Sequence, residues 1–245
     1  MPDRDFLDSI GRIDVNIVNE EEFLEKYEKA STPCIIQGVS DEWRAKTEWT
    51  VPKLIEKYGF CNFKVGGTDS GRSLRMPLEQ YIEYMLYNRD DTPLYLFESS
   101  LNKRKHPKAY KLLRDYDRPK YFKTNLFSYL DRDRMPPHRW FLIGPKRSGS
   151  LLHQDPLGTS AWNTSLMGHK RWLLIPPSKG LTKAFFRKEY KMKMEDDDPI
   201  QFFDFIWPRM KKAENHKDGK LPFVIECIQY PGETMFVPGG WWHAV

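Results

Sequence analysis

Pro231-Gly232-Glu233-Thr234-Met235-Phe236-Val237-Pro238-Gly239-Gly240-Trp241-Trp242-His243-Ala244-Val245 reads as two short apolar runs parted by a proline-glycine turn. Proline stops a strand and glycine turns the chain, so residues 234–237 and 241–245 are expected as separate strands. The texture continues upstream. Residues 139–143, 151–155, 160–163, 171–175 and 224–228 are rich in Trp, Phe, Ile, Leu and Val and are punctuated by Gly/Pro turns. Many short strands at such spacing predict a β-sandwich or barrel.

Residues 178–220 interrupt this pattern with Lys183, Arg187, Lys188, Lys191 and Lys193, then Glu195-Asp196-Asp197-Asp198. They read as a charged insertion between strands, and charge runs of this kind are ordinarily solvated surface. Nearer the N-terminus the signals are helical. Asn19 with Glu22 resembles a capping box ahead of Phe23, Leu24 and Tyr27, and Thr50 precedes Val51-Pro52, Leu54, Ile55 and Tyr58. Leu78, Tyr81, Ile82, Met85 and Leu86 follow Met76-Pro77 at helical spacing, while Pro33-Cys34-Ile35-Ile36-Gln37-Gly38 reads as a short buried strand. The expected organisation is a mixed, partly helical region over 1–135 packing on a β core over 136–245. The sequence ends two residues after His243, so the core is expected to be truncated within its last strand.

The 245 residues include 39 Lys+Arg against 34 Asp+Glu, a net charge of +5 that is too mild to argue for nucleic acid alone. With 40% hydrophobic and 14% aromatic residues the protein has the material for a core. Cys34, Cys61 and Cys227 are far apart and odd in number, which points away from a disulfide framework or thiolate zinc site and toward a reducing compartment. No apolar run is long enough to span a membrane, and Met1-Pro2-Asp3-Arg4-Asp5 is unlike a secretory signal, so a soluble intracellular protein without membrane partners is expected. No internal repeat is present.

His153-Gln154-Asp155 places an imidazole and a carboxylate at i and i+2 of an extended segment, where both leave the same face and can meet one cation. His243 can supply a third ligand. Two histidines and a carboxylate form the facial triad of non-haem Fe(II) oxygenases, which leaves coordination positions open. By itself, an H-x-D tripeptide is commoner as structure than as a metal site. His106, His138, His169 and His216 are not assigned to the metal; His169 is expected to face opposite Lys170. Lys170 sits in an otherwise apolar segment, where a lysine wants an anionic partner.

His153-Gln-Asp-Pro-Leu-Gly-Thr-Ser-Ala-Trp-Asn163 with Gly168-His-Lys-Arg-Trp172, and the stretch from Pro231 to His243, resemble the JmjC oxygenases. Asp91-Thr-Pro-Leu-Tyr-Leu-Phe-Glu-Ser-Ser100, Pro136-Pro-His-Arg-Trp-Phe141 and Trp49-Thr50 extend the resemblance over most of the sequence, toward JmjC proteins that act as arginine demethylases and lysyl hydroxylases. The resemblance implies a mainly β fold with N-terminal helices, the double-stranded β-helix of cupin or jelly-roll type. It further implies Fe(II) on His153, Asp155 and His243, and 2-oxoglutarate held by Lys170 with Asn163, Tyr95 and Ser150 nearby. Ascorbate is the expected reductant.

The implied reaction is hydroxylation of lysine or demethylation of methylated arginine in a Lys/Arg-rich protein such as a histone or RNA-processing factor. The nucleus, or otherwise the cytoplasm, is the expected location, and chromatin regulation the implied role. RNA is a further candidate partner, as is a second copy of the protein if C-terminal helices exist. Trp242 is a candidate for the substrate channel, although paired tryptophans in a strand are by default core. The alternative is a catalytically silent JmjC module that binds basic peptide or RNA; a non-oxygenase zinc cupin is disfavoured by Lys170.

Overall fold

The computed structural model describes residues 8–67, 72–102, 104–131, 134–191, 198–215 and 223–245. The opening Met1-Pro2-Asp3-Arg4-Asp5, His216, and Lys193, Glu195, Asp196 and Asp197 of the charged insertion lie outside the described residues. In sequence order the strands are β1 (Arg12–Asp14), β2 (Cys34–Gln37), β3 (Asn62–Gly67), β4 (Ser73–Pro77), β5 (Leu96–Glu98), β6 (Phe141–Ile143), β7 (Ala161–Thr164), β8 (Lys170–Ile175), β9 (Ile225–Gln229), β10 (Thr234–Val237) and β11 (Trp242–Ala244).

Two compact units result, Met1–Val39 with Gly149–Val245, and Ser40–Ser148. This corrects the linear boundary expected between residues 135 and 136, and backbone pairing is the reason. β2 pairs with β1 on one side and with β10 on the other, which draws the N-terminal strands into the β-rich unit. β6 pairs with β5 and so stays in the Ser40–Ser148 unit.

The first unit contains a sheet in the order β1-β2-β10-β7 and another in the order β11-β8-β9. Alternation along β8 decides what each face does. Trp172 and Leu174 join Ile35 of β2, Cys227 of β9, Met235 and Val237 of β10, and Trp241 in one buried cluster, so the two sheets share a core. Leu173 and Ile175 point the other way. They meet Leu181, Phe186, Tyr190, Phe202, Ile206, Trp207 and Met210 from the insertion, together with Trp242 and Ala244 of β11.

The insertion is therefore more than solvated surface. Its helices Lys183–Tyr190 and Pro199–Gln201, the latter running through a π-helical turn Phe202–Ile206 into Trp207–Asn215, cover the outer face of β8 and β11 with apolar side chains. Asp198 caps the second stretch, its Oδ1 accepting from the Gln201 amide at 2.8 Å.

The second unit packs the helices Val51–Tyr58 and Leu78–Tyr87 with the hairpin β3-β4 and the pair β5-β6 around Leu54, Phe63, Val65, Leu78, Tyr81, Ile82 and Leu96. The Tyr81 hydroxyl is buried there and donates to the Ile143 carbonyl at 2.7 Å. No helix among the described residues is long and apolar enough to cross a membrane.

Candidate metal centre

The segment expected as a strand over 151–155 forms one bridge rather than a ladder. His153 pairs antiparallel with His243, giving its amide to the His243 carbonyl at 3.0 Å and receiving the His243 amide at 2.8 Å. Ser150 and Val245 exchange the flanking pair of bonds at 2.9 and 3.0 Å. Gly149 lies where any Cβ would run into the Val245 carbonyl, so this close approach requires glycine. Across the bridge the paired histidines project from one face, and their rings stand 4.2 Å apart.

Asp155 completes the group. Its carboxylate lies 3.8 Å from His153 Nε2 and 4.0 Å from His243 Nε2, and the three candidate ligand atoms fall within 4.8 Å of one another. These separations are too long for hydrogen bonds. They suit ligand atoms that each approach a common ion at about 2.0–2.2 Å.

The two rings are already oriented for that role. His153 Nδ1 lies 2.7 Å from the Leu151 carbonyl and His243 Nδ1 lies 3.2 Å from the Trp241 carbonyl. A carbonyl only accepts, so each Nδ1 carries a proton and each Nε2 is left facing Asp155, the nitrogen that could ligate a metal. Burial lowers the His243 pKa, the neighbouring His153 lowers it further, and Asp155 opposes both, so the imidazole is neutral and able to ligate near neutral pH. His243 is 7% exposed, against 41% for His153 and 27% for Asp155, so the centre opens on the His153–Asp155 side.

His243 pairs with Leu174 on β8, and Lys170 shares that face of β8 at even spacing. The Lys170 ammonium donates to Asn163 Oδ1 at 3.3 Å, joining β8 of one sheet to β7 of the other. Desolvation lowers the Lys170 pKa to about 8, which marks an ammonium held away from water without a carboxylate to compensate it. Ser150 stays beside the centre through its backbone pairing with Val245. Tyr95 lies in the Ser40–Ser148 unit, its ring 6.0 Å from Phe97. His169 is exposed against Tyr230, away from the ligands.

Trp242 takes a different place from the substrate channel expected of it. Adjacent strand residues face opposite ways, so with His243 inward Trp242 points outward, 5.0 Å from the Phe186 ring and buried in the insertion's core. Gln154 also faces away from the ligands, but its amide donates to the Gly240 carbonyl and ties the ligand segment to the turn before β11.

One positioning residue was not singled out in the sequence. Gln229 is fully buried; its Nε2 donates to the carbonyls of Asn163 at 2.7 Å and Glu233 at 2.8 Å, and its Oε1 accepts from Trp172 Nε1 at 2.9 Å. It thus fixes the backbone of Asn163 opposite Lys170. The signal was a polar residue closing an apolar strand, which needs partners to be buried.

The Cupin-like domain family matches residues 20–245. The "Bifunctional arginine demethylase and lysyl-hydroxylase psr-1" of Caenorhabditis elegans is 48% identical over 242 residues, 98% of this chain and 58% of that protein. The "Arginine-specific demethylase JMJ22" of Arabidopsis thaliana is 36% identical over 97% of this chain and 43% of its own length. The "2-oxoglutarate and iron-dependent oxygenase JMJD4" of Gallus gallus is 24% identical over 98% of this chain and 57% of that protein. The chain thus spans less than two thirds of each of these relatives.

Proposed function

This chain belongs to the cupin-like family, of the JmjC type, and on that footing we propose that it is an Fe(II)- and 2-oxoglutarate-dependent oxygenase domain acting on lysine or methylated arginine in proteins. The observation that carries the proposal is the convergence of His153, Asp155 and His243, with both Nε2 atoms aimed inward by backbone-anchored Nδ1 groups. The activities for which the relatives are named support the reaction class. The two sheets sharing one core support the finer fold reading, a double-stranded β-helix.

The donor set fits ferrous iron: two imidazole nitrogens and one carboxylate supply three ligands, the carboxylate offsets one of its two charges, and positions are left open. His153, Asp155 and His243 would hold the metal. Lys170 would pair with the far carboxylate of 2-oxoglutarate, with Asn163 orienting the ammonium and Ser150 flanking the ligand segment. When bound, iron and the 2-oxo acid would let dioxygen serve as the oxidant, one oxygen atom ending in the succinate formed by decarboxylation and the other on a substrate C–H bond.

The protein's own work is orientation and exclusion of water. The buried side of His243 and the core around Trp172 keep water from the inner face, while the exposed side of His153 and Asp155 leaves a way in. Insertion of oxygen into a C–H bond of a lysine substrate gives hydroxylysine. Insertion into an arginine N-methyl group gives a carbinolamine that releases formaldehyde.

Lys/Arg-rich nuclear proteins are the proposed substrates, on the strength of the sequence resemblance. Mass spectrometry of lysine-rich and methylarginine peptides incubated with iron, ascorbate and 2-oxoglutarate tests the reaction. Gain of one oxygen or loss of a methyl group supports it; iron and cosubstrate binding with no succinate formed from any such peptide returns the domain to the silent-module alternative.

A further inference from the structure

The Ser40–Ser148 unit contains a cavity of about 500 Å³, none of whose lining residues belongs to the metal centre. Its wall carries five cations, Arg44, Lys57, Lys108, Lys111 and Arg114, against a single carboxylate, Asp115. Three of the five belong to one row. Ala109–Arg114 is a 3₁₀ helix, whose three residues per turn eclipse side chains three apart, and Lys108, Lys111 and Arg114 have that spacing.

The charge of this wall is only partly cancelled locally. Asp115 is already engaged, its Oδ2 accepting from Trp49 Nε1 at 3.1 Å and its Oδ1 lying 3.9 Å from Arg44 Nε. Lys57 pairs with Glu48, which also takes Lys53 at 3.0 Å. Lys108, Lys111 and Arg114 have no carboxylate partner among the described residues. Instead the Lys108 ammonium lies 4.2 Å from the centre of the Phe60 ring, and the Arg114 guanidinium 5.3 Å from that of Tyr110. Like charges gathered on a concave wall repel one another and focus a positive field into it.

We propose that this cavity binds a small, multiply phosphorylated anion. With Lys57 paired to Glu48 and Arg44 beside Asp115, Lys108, Lys111 and Arg114 leave an excess of three charges, more than a simple dicarboxylate would match. The arginines offer planar forks suited to phosphate oxygens. A concavity of this size suits a discrete ligand, where a strand of nucleic acid would call for an extended stripe.

Calorimetric titration of the full-length protein with inorganic tripolyphosphate in metal-free buffer tests the assignment. Saturable binding is expected. The exposed pair Lys111→Gln with Arg114→Gln should weaken it roughly tenfold or more, with the circular dichroism spectrum unchanged. Lys170→Ala and His153→Ala should leave the affinity as it is. The proposal is overturned if tripolyphosphate does not bind, if binding ignores the 111/114 pair and disappears with Lys170→Ala, or if only single-stranded RNA or phosphoinositide vesicles bind.

Discussion

His153 and His243 face each other across an antiparallel bridge and exchange both backbone hydrogen bonds, at 3.0 and 2.8 Å. Residues remote in sequence are thus aligned by main-chain pairing before any metal is considered. Side-chain packing has only to set the ring angles, and the carbonyls of Leu151 and Trp241 do that.

Removing a ligand should separate chemistry from stability. His153 and Asp155 are partly exposed, so His153→Ala and Asp155→Ala are expected to fold normally while anaerobic ferrous affinity falls roughly a hundredfold or more and succinate formation ceases. Retention of wild-type iron affinity by either variant would remove it from the ligand set.

Lys170 supplies a pH signature. With its pKa near 8, the charged form predominates below that value and is lost above it, so 2-oxoglutarate affinity should decline as pH rises past about 8. The sign for stability is opposite. The unfolded lysine holds its proton to about 10.4, so the ligand-free fold bears the desolvation penalty in full below pH 8 and is relieved between about 8 and 10.4. Titrations from pH 7 to 10 on wild type and Lys170→Ala should show both trends only in the wild type.

Gln229→Leu strands the Asn163 and Glu233 carbonyls and Trp172 Nε1 in a buried setting. A loss of about 2–4 kcal/mol in denaturant unfolding is expected, with KM for 2-oxoglutarate raised more than kcat is lowered. Loss of stability with no change in KM would limit Gln229 to a structural role.

Trp242→Phe tests the outward assignment. Trp242 Nε1 is buried without a hydrogen-bond partner among the described residues, so phenylalanine should be tolerated and turnover preserved, whereas alanine should destabilise by about 3–5 kcal/mol. A large fall in kcat for the phenylalanine variant, with the fold intact, would put this side chain back at the substrate.

Gly149→Ala drives a methyl group toward the Val245 carbonyl. Disrupting that pairing should lower iron affinity along with thermal stability, although the residue touches no ligand. Normal iron binding in a folded Gly149→Ala protein would show that the bridge does not need the flanking bonds.

That His153, Asp155 and His243 come together was expected from H-x-D on an extended segment and, above all, from the family resemblance of the two motifs that hold them, and the turn-bounded runs at 171–175 and 234–237 became β8 and β10. Leu78, Tyr81 and Ile82 likewise are the buried stripe of a helix. What escaped notice depends on remote partners. Arg12–Asp14 is strand only because β2 lies beside it. The insertion's apolar residues were masked by the charges between them, although Phe186, Phe202 and Trp207 are buried. The direction of Trp242 followed from the alternation that placed His243, and the competing signal was its nearness in sequence to a ligand.

The division into two units has a consequence for synthesis on the ribosome. Ser40–Ser148 is continuous, so it can fold as soon as it emerges. The first unit cannot, because β2 must wait for Thr234–Val237 to be translated before its second edge is covered. Throughout that interval the nascent polypeptide displays Cys34-Ile35-Ile36 as an open, sticky edge, which makes this stretch the natural point of engagement for a chaperone and the first place where slow translation would promote aggregation.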